Sequence, residues 1–396
     1  MGRCFFIFVK HYTLMIDFED YRESIERGPA KYFHGRHQEL KAFKGLLHET
    51  SQKGIGSSLL IQGPPGVGKT ALIEEHKKEA SLQGWQVVDL TIPSLYDPKE
   101  LFRRLTKNQK AHDVQTTFGV DLKIFKVGFV PKHIEETPYL NEAIIRSQPT
   151  CLVLDEAQTL DLIVSEKDRD KVADFFRTYH NVLSEKGFVF LFGGLSTTKD
   201  VLRQFGISRF NTNCIHYLEP IERDAERSII DDWLTKEIKT PSDTTSWIDQ
   251  ITQRTDRWPR HIQSYSNAIC DFLEPKESLT HHTLKQVLAY GDDLKLQYYE
   301  QRCDGISYQN RQLITSAMES LPPCFDQEDF ISCLSKRLSK EDARMLYETI
   351  LSKGIIHIDQ RGISSVPIPS FRSFLIEEYG QEDPKTPPFS SGLALE

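Results

Sequence analysis

An eight-residue segment, GPPGVGKT from Gly63 to Thr70, has residue types and a spacing that suit phosphate binding. Glycines permit the backbone angles that point several N–H groups at one spot, and such a nest attracts an anion. Lys69 would reach the β- and γ-phosphates of a nucleotide, and the Thr70 hydroxyl would bind Mg²⁺. A simple Gly/Pro turn is the alternative, but the pattern G-x-x-x-x-G-K-[ST] is complete and joins a strand-like run to a helix-like run. The residues expected to hold the nucleotide here are Gly63, Pro64, Pro65, Gly66, Val67, Gly68, Lys69, Thr70 and Ala71.

A second candidate motif is CLVLDE, in which an apolar run from Cys151 ends in two carboxylates. Ligands of open parallel sheets lie at the carboxyl ends of the strands, where Asp155 and Glu156 would stand. Asp155 would hold Mg²⁺ through water, and Glu156 would orient and deprotonate an attacking water. The alternative is a pair of acids at the start of the next helix, where the helix dipole favours negative charge.

Apolar runs alternate with helix-like runs around these motifs. The predicted strands are Ser57–Gln62, Trp85–Ile92, Cys151–Glu156, Phe188–Gly194 and Cys214–Leu218. The predicted helices are Lys69–Leu82, Asp97–Lys110 and Val172–Leu183, with a hairpin-like insertion at Phe118–Val130. Because strands buried on both faces read as unbroken apolar runs, this order indicates an α/β fold with a parallel sheet covered by helices.

The pattern changes twice beyond the α/β region. It is almost wholly helical from Glu222 to Leu296. From Tyr308, three short helices precede two strands around a turn at Asp359–Gly362, which is typical of a winged helix. The predicted organisation is an N-terminal extension at 1–30, an α/β domain at 31–219, a helical domain at 220–300, a winged-helix domain at 301–380 and a flexible tail at 381–396.

Composition limits the function classes. The 396 residues include 49 basic and 57 acidic side chains, a formal net charge of −8, so bulk charge would not hold the chain on nucleic acid. The seven cysteines are odd in number and form no C-x-x-C pair, which argues against a zinc knuckle or a disulfide framework and favours a cytoplasmic location. No stretch has the length and apolar character of a membrane span, so no membrane association is expected.

Together these motifs resemble those of the AAA+ ATPases, which are P-loop NTPases, over about residues 33–379. The chain looks closest to their initiator (origin-recognition-like) and STAND-type branch, and it is also similar to transposition-helper ATPases. FHGRHQELKAFKGLL resembles the N-terminal box G-R-x-x-E-L of the family, which packs near the adenine, and Gly35, Arg36 and Leu40 match it. DEAQTL resembles the second phosphate motif of the initiator-like and transposition ATPases.

The resemblance also implies sensors and an arginine finger. LFGGLSTT ends a strand where the family keeps its first sensor, which implies Ser196 or Thr197, although the family usually has Asn there. GISRF occupies the place of an arginine finger, so Arg209 would face the γ-phosphate of a neighbouring subunit. RWPRHIQSY resembles the second sensor, so Arg260, on a lid helix that begins at Pro259, would reach the nucleotide of its own subunit.

Each of these arginines has a plainer interpretation. Arg209 could be a surface residue near a turn, because a finger needs a ring or dimer that the sequence does not display, and Arg203 is a weaker substitute for it. Arg260 could lie on a helix surface. Trp258 is expected to belong to the core of the lid rather than to stack on a base.

The charge of the C-terminal module leaves its partner open. Between residues 305 and 380, eight basic side chains stand against ten acidic ones, a net of −2, whereas a DNA reader usually has a basic face. A small basic patch remains, made of Lys336, Arg337, Lys340, Arg344 and Arg361. Direct DNA contact through these residues and a protein-docking or oligomerising role both remain open.

The expected function is a Mg²⁺-dependent switch that binds and hydrolyses ATP, forms a homo-oligomer through an arginine finger in trans, and controls engagement of DNA or a protein partner. The resemblance places such a switch in mobile-element or defence systems. One alternative is a nucleotide-gated scaffold with little turnover. Another is a DNA-binding regulator that responds to ATP.

Overall fold

The computed structural model describes residues 30–54, 56–96, 149–183, 188–207, 210, 214–237, 244–272 and 281–380. The predicted helix at Asp97–Lys110 and the predicted hairpin at Phe118–Val130 lie outside these residues, as do Arg209, the predicted tail and nearly all of the predicted N-terminal extension. Within the described ranges, no helix combines the length and the apolar character that a membrane crossing requires.

A five-stranded parallel sheet forms the centre of the α/β region. Its strands are β1 Ser57–Gln62, β2 Gln86–Asp89, β3 Thr150–Leu154, β4 Phe188–Gly194 and β5 Ile215–Tyr217. Their spatial order is β2-β3-β4-β1-β5. Because Gln62 is aligned with Gly194, and Leu154 with Phe192, the carboxyl ends of β1, β3 and β4 meet at one edge of the sheet. The predicted parallel sheet is confirmed.

Helices cover both faces of this sheet, as the unbroken apolar strands predicted. They are α1 His37–Lys53, α2 Lys69–Leu82, α3 Ile92–Tyr96, α4 Glu166–Leu183 and α5 Thr198–Gln204. Successive side chains of a strand point to opposite faces. Leu59 and Ile61 therefore join the core formed with α1 and α2, whereas Leu60 joins the core formed with α4 and α5.

Three predicted strands end earlier than expected. The run Cys214–Leu218 is a strand only at Ile215–Tyr217, and the other two differ by more. The run Trp85–Ile92 is a strand only at Gln86–Asp89, and Ile92 begins the short helix α3. Ser94 favours this turn because its hydroxyl accepts from the backbone N–H of Thr91 at 2.9 Å and donates to the Thr91 carbonyl at 2.6 Å. The run Cys151–Glu156 ends as a strand at Leu154, since Glu156 adopts a left-handed backbone with φ 51°.

A helical lid follows the α/β region. It consists of α6 Arg223–Asp232, a wider helical turn at Trp233–Glu237, α7 Thr244–Thr252, α8 Pro259–Phe272 and α9 His281–Arg302. Its own core contains Ile230, Leu234, Trp247, Tyr265 and Val287. The last helix, α9, extends out of this core into the C-terminal module, where the Tyr299 ring packs 5.1 Å from that of Phe371.

The C-terminal module has the arrangement of a winged helix. Its elements are α10 Tyr308–Ser320, β6 Cys324–Phe325, α11 Gln327–Leu334, α12 Lys340–Ser352, β7 His357–Ile358, β8 Ser364–Ser365 and α13 Pro369–Tyr379. The three short strands pair antiparallel in the order β6-β8-β7. Asp359 closes the turn of the wing, because its Oδ1 accepts from the backbone N–H groups of Arg361 at 2.8 Å and Ile363 at 3.0 Å.

Candidate nucleotide-binding site

The phosphate loop connects β1 to α2 at the sheet edge where three strands end. Gly66 and Gly68 have φ angles of 78° and 96°, which a residue with a side chain rarely adopts. The completely buried Val67 anchors the loop in the core. The N-terminus of α2, which begins at Lys69, completes the loop, so unpaired N–H groups and a positive dipole end lie where a phosphate would bind.

Lys69 lies in the loop with only 5% of its surface exposed. Its Nζ donates to the Pro64 carbonyl at 3.2 Å, which leaves two further donors on the ammonium group. Burial lowers the pKa of Lys69, while the carboxylates of Glu156 and Asp155 oppose that shift and the charge of Arg302 adds to it. An anion bound beside this ammonium would compensate a charge that the protein has largely removed from water.

Thr70 and Asp155 form the candidate magnesium site. The Thr70 hydroxyl donates to Asp155 Oδ2 at 2.7 Å, and Asp155 Oδ1 accepts from the backbone N–H of Glu156 at 2.8 Å. A Cβ placed on Gly193 would fall on the Asp155 carboxylate, so the bare backbone of β4 makes the space that this side chain occupies. Hydroxyl and carboxylate oxygens next to a phosphate site are ligands that suit Mg²⁺.

Glu156 stands beside this pair with its side chain exposed to solvent. Its left-handed backbone is uncommon for a residue with a side chain and is typical of functional sites. The turn is held locally, because the Glu156 carbonyl accepts from the Thr159 backbone N–H at 2.9 Å and from its hydroxyl at 2.7 Å. Gln158 Nε2 donates to the Glu156 carboxylate and so orients it.

The predicted first sensor lies in the loop after β4, next to these carboxylates. Gln62 Nε2 fixes this loop by donating to the carbonyls of Leu195 at 3.0 Å and Ser196 at 2.9 Å. Gln158 Oε1 connects the same loop to the turn of Glu156, because it accepts from the Leu195 N–H at 3.3 Å and from the Thr198 hydroxyl at 3.3 Å. The structure thus places Ser196 beside the site. Two glutamines that sequence reasoning missed, Gln62 and Gln158, connect its loop to β1 and to the turn of Glu156.

Arg36 contacts the phosphate loop from the other side. Its guanidinium donates to the carbonyls of Val67 at 3.1 Å and Glu219 at 2.5 Å, and burial lowers its pKa. Its backbone is left-handed, with φ 57°, immediately before α1. The residue therefore ties the N-terminal box to the loop, a backbone contact that the resemblance alone did not specify.

Arg260 meets the loop from the lid. Its backbone N–H donates to the Gly66 carbonyl at 3.1 Å, and Pro259 occupies the first position of α8, as predicted. The guanidinium lies 5.7 Å from the centre of the Tyr298 ring and donates to Gln263 at 3.0 Å. The backbone of Arg260 thus contacts the phosphate loop, whereas the predicted finger, Arg209, lies outside the described residues.

Two clusters can now be distinguished. The strand-end cluster comprises Lys69, Thr70, Asp155 and Glu156. The C-terminal cluster comprises Tyr298, Arg302, Gly354 and His357, which the sequence analysis did not select.

The C-terminal cluster lies directly against the phosphate loop. Tyr298 donates to the Pro65 carbonyl at 3.1 Å, and a Cβ placed on Gly354 would lie 2.6 Å from Pro65 Cδ. Burial and the charge of Lys69 lower the pKa of His357 to about 4. The winged-helix module thus packs over the site.

The AAA domain family matches residues 53–202. No curated protein matches the chain by sequence. A Walker-type ATPase of Pyrococcus abyssi has a similar structure, with 15% identity and a TM-score of 0.53 over 89% of this chain and 99% of that one. The ORC2 protein of Aeropyrum pernix, solved in ADPNP–ADP complexes, has 12% identity and a TM-score of 0.54 over 89% of this chain and 97% of its own.

The family match confirms the predicted resemblance to the AAA+ ATPases and supports ATPase activity. The two structural likenesses confirm the fold.

Proposed function

We propose that the protein, whose residues 53–202 match the AAA domain family, is a Mg²⁺-dependent, ATP-hydrolysing switch whose winged-helix module responds to the nucleotide. The observation that carries the proposal is the convergence of Lys69, Thr70, Asp155 and Glu156 at one end of the parallel sheet. We assign the α/β domain to 31–219, the lid to 220–300 and the winged helix to 301–380, with an extension at 1–30 and a tail at 381–396.

The residues of the site divide the work of hydrolysis. Backbone N–H groups of the phosphate loop and the Lys69 ammonium bind the phosphates. Thr70 and Asp155 would hold Mg²⁺, which when bound neutralises charge on the phosphate oxygens. Glu156 orients the attacking water and accepts its proton, and Gln158 keeps the carboxylate directed.

Adenine nucleotides are the proposed ligand. The similar ORC2 protein of Aeropyrum pernix was solved with ADPNP and ADP, and the chain has no N-K-x-D motif to read guanine. We further propose that the chain forms a homo-oligomer in which Arg209 of one subunit reaches the γ-phosphate of the next. Arg260, whose backbone contacts the phosphate loop of its own subunit, would couple nucleotide binding to the position of the lid.

The partner of the switch is proposed to bind at the winged-helix module. DNA would need the basic patch, yet Arg361 pairs with Asp359 at 3.2 Å and Arg344 lies 3.9 Å from Glu328. These pairs weaken the positive field of the patch, so a protein partner is as well supported as DNA. Salt-sensitive DNA binding that weakens when Arg337, Arg344 and Arg361 are neutralised would identify DNA as the partner.

A second candidate function is a nucleotide-gated scaffold with little turnover. The contact of Gly354 with Pro65 favours it, because a module packed on the phosphate loop can be held or released by the nucleotide. Measuring turnover with and without DNA, together with molecular mass by light scattering with ATP, separates the two functions. Fast turnover by a strict monomer would rule out the finger in trans.

The main test substitutes the two reactive groups of the strand-end cluster. Lys69→Ala should lose Mg–ATP binding, and Glu156→Gln should bind Mg–ATP normally but hydrolyse it about 100- to 10,000-fold more slowly, which is the usual contribution of a general base. Calorimetry and phosphate release measure the two effects. Lys78→Ala, on an exposed part of the same helix, is the matched control. If Lys69→Ala and Glu156→Gln both hydrolyse ATP like the parent protein, the site is assigned wrongly.

A further inference from the structure

Trp258 carries a polar group that the fold leaves without a partner. Its side chain is 1% exposed, and Nε1–H donates no hydrogen bond within the part of the chain that the structure describes. A buried indole N–H usually finds an acceptor, because leaving a donor unsatisfied costs free energy. The core role expected from the sequence accounts for the apolar ring but not for this donor.

The unpaired donor lies against the lid-facing side of the phosphate loop. A Cβ placed on Gly66 would lie 3.0 Å from Trp258 Nε1, 2.8 Å from the Tyr298 hydroxyl and 2.8 Å from Arg260 Cβ. Only a residue without a side chain fits there. The indole N–H therefore stands beside the backbone that forms the anion nest.

The carbonyl groups of the loop already accept other donors. Pro64 accepts from Lys69, Pro65 from Tyr298, Gly66 from the backbone of Arg260, and Val67 from Arg36. Lys69 belongs to the loop itself, whereas Tyr298, Arg260 and Arg36 reach it from other elements. A carbonyl oxygen can accept a second hydrogen bond, but none of these carbonyls accepts one from Trp258. We therefore assign the missing acceptor to a ligand of the loop.

The turn that carries Trp258 is strained and braced. Asp256 and Arg257 have φ angles of 53° and 57°, in the left-handed region. The fully buried Glu226 carboxylate holds this turn by accepting from the Thr255 hydroxyl and, at 3.0 Å, from the Arg257 backbone N–H. Strained backbone persists only where its surroundings determine it, so the position of Trp258 is built into the fold.

We propose that Trp258 Nε1–H donates a hydrogen bond to an oxygen of the bound nucleotide, on a phosphate or on the ribose. Trp258 is then a nucleotide-binding residue of the lid, beside Arg260. This inference rests on the proposed nucleotide binding but goes beyond it, because it assigns a specific contact to Trp258, which the sequence analysis expected only in the core of the lid.

The direct test is ¹⁹F NMR of protein labelled with 5-fluorotryptophan. The chain has four tryptophans, and Phe substitutions at Trp85, Trp233 and Trp247 assign the Trp258 signal by elimination. Saturation with Mg–ADP should shift the Trp258 signal and leave that of Trp247, in the lid core, nearly unchanged. An unchanged Trp258 signal while calorimetry shows bound Mg–ADP would overturn the inference and leave the proposed function standing.

Smaller ligands identify the acceptor. A shift with Mg–pyrophosphate indicates a phosphate oxygen, whereas a shift with AMP and ADP but not with pyrophosphate indicates the nucleoside side, and either result supports the contact. If calorimetry detects no binding of Mg–ATP or Mg–ADP to the parent protein, the proposed function itself fails.

An affinity measurement complements the spectra. Trp258→Phe keeps an aromatic ring but removes the donor, so the Kd for Mg–ADP should rise about 5- to 10-fold, as expected for the loss of one hydrogen bond of ordinary strength. Trp247→Phe is the control and should bind within about twofold of the parent. Equal affinity of a folded Trp258→Phe protein would contradict the inference.

Discussion

The strand-end cluster and the C-terminal cluster face the same phosphate loop but differ in origin and chemistry. Thr70 and Asp155 are separated by 85 residues and are brought together because β1 and β3, which flank β4, end at the same edge of the parallel sheet. Tyr298 and Pro65 are separated by 233 residues and meet only because α9, the last helix of the lid, packs against the loop. The first cluster combines oxygen ligands with one ammonium group, whereas the second contributes a guanidinium, an imidazole and a glycine contact.

This difference assigns hydrolysis to the strand-end cluster and the coupling between nucleotide binding and module packing to the C-terminal cluster. The strand-end cluster has the carboxylates that a hydrolysis reaction requires. The C-terminal cluster brings Arg302 and His357 close to Lys69. Burial and the charge of Arg302 lower the pKa of Lys69, and burial and the charge of Lys69 lower the pKa of His357. A bound polyphosphate would supply that anion, so the packing of the module and the binding of nucleotide are expected to depend on each other.

Of the substitutions that test this comparison, Gly193→Ala is expected to have the largest effect, on the rate of hydrolysis. The new methyl group would displace the Asp155 carboxylate, and a misplacement of about 1 Å at such a site costs on the order of 100-fold in rate. Mg²⁺-dependent ATP hydrolysis should therefore fall by about that factor. Phosphate release measured across a Mg²⁺ titration checks the prediction.

The control for this change is Gly45→Ala. A Cβ at Gly45, in α1, would meet nothing within 4 Å, so this protein should keep its activity. Unchanged hydrolysis by Gly193→Ala would show that the position of Asp155 does not govern the reaction.

A smaller effect, on stability rather than chemistry, is expected for Gly354→Ala. Its φ of 66° and the nearby Pro65 both oppose a methyl group, whereas Gly54, with φ 65°, has open space around it. Gly54→Ala should cost about 1–2 kcal/mol for the left-handed backbone, and Gly354→Ala about 1–3 kcal/mol more for the clash. Urea unfolding measures both.

The two glycine variants also test whether the contact between the module and the loop governs nucleotide affinity rather than the hydrolysis step. Gly354→Ala should loosen the module and change Mg–ATP affinity while leaving the hydrolysis step within about tenfold of the parent, because the strand-end cluster is untouched. Equal stability of the Gly354→Ala and Gly54→Ala proteins would mean that the contact between the module and the loop does not form.

The smallest expected effect concerns pH. The pKa of His357 is about 4 in the folded protein and about 6.5 when unfolded, so the unfolded chain binds the extra proton between these values. The contribution of His357 to the free energy of unfolding is fully present above pH 6.5 and falls as the pH decreases toward 4. At pH 5 the loss is on the order of 1–2 kcal/mol. His357→Gln should lose this share of the pH dependence in urea unfolding.

Other buried histidines do not obscure that difference. Burial also lowers the pKa of His76 and of His261 to about 3, but both remain in the parent and in the His357→Gln protein. A His357→Gln protein with the same slope between pH 7 and pH 5 as the parent would show that His357 is not buried beside Lys69.

Local patterns predicted the phosphate loop, all five strands and the parallel sheet, because a glycine-rich turn between a strand and a helix and unbroken apolar runs are readable within a few residues. Two strand ends were wrong by two or more residues because local hydrogen bonds of Ser94 and the left-handed Glu156 compete with extended backbone. Gln62 was a missed signal, since a polar residue that ends an apolar strand beside the loop is unusual.

The sequence by itself determined which residues could bind a nucleotide and its Mg²⁺, since that chemistry is concentrated in short contiguous motifs. Only the tertiary structure decided that Arg36, Tyr298 and Gly354 converge on the loop and that the Trp258 donor is left unpaired beside it. Such contacts join elements far apart in the chain, and the packing of whole domains, rather than any local preference, sets their distances.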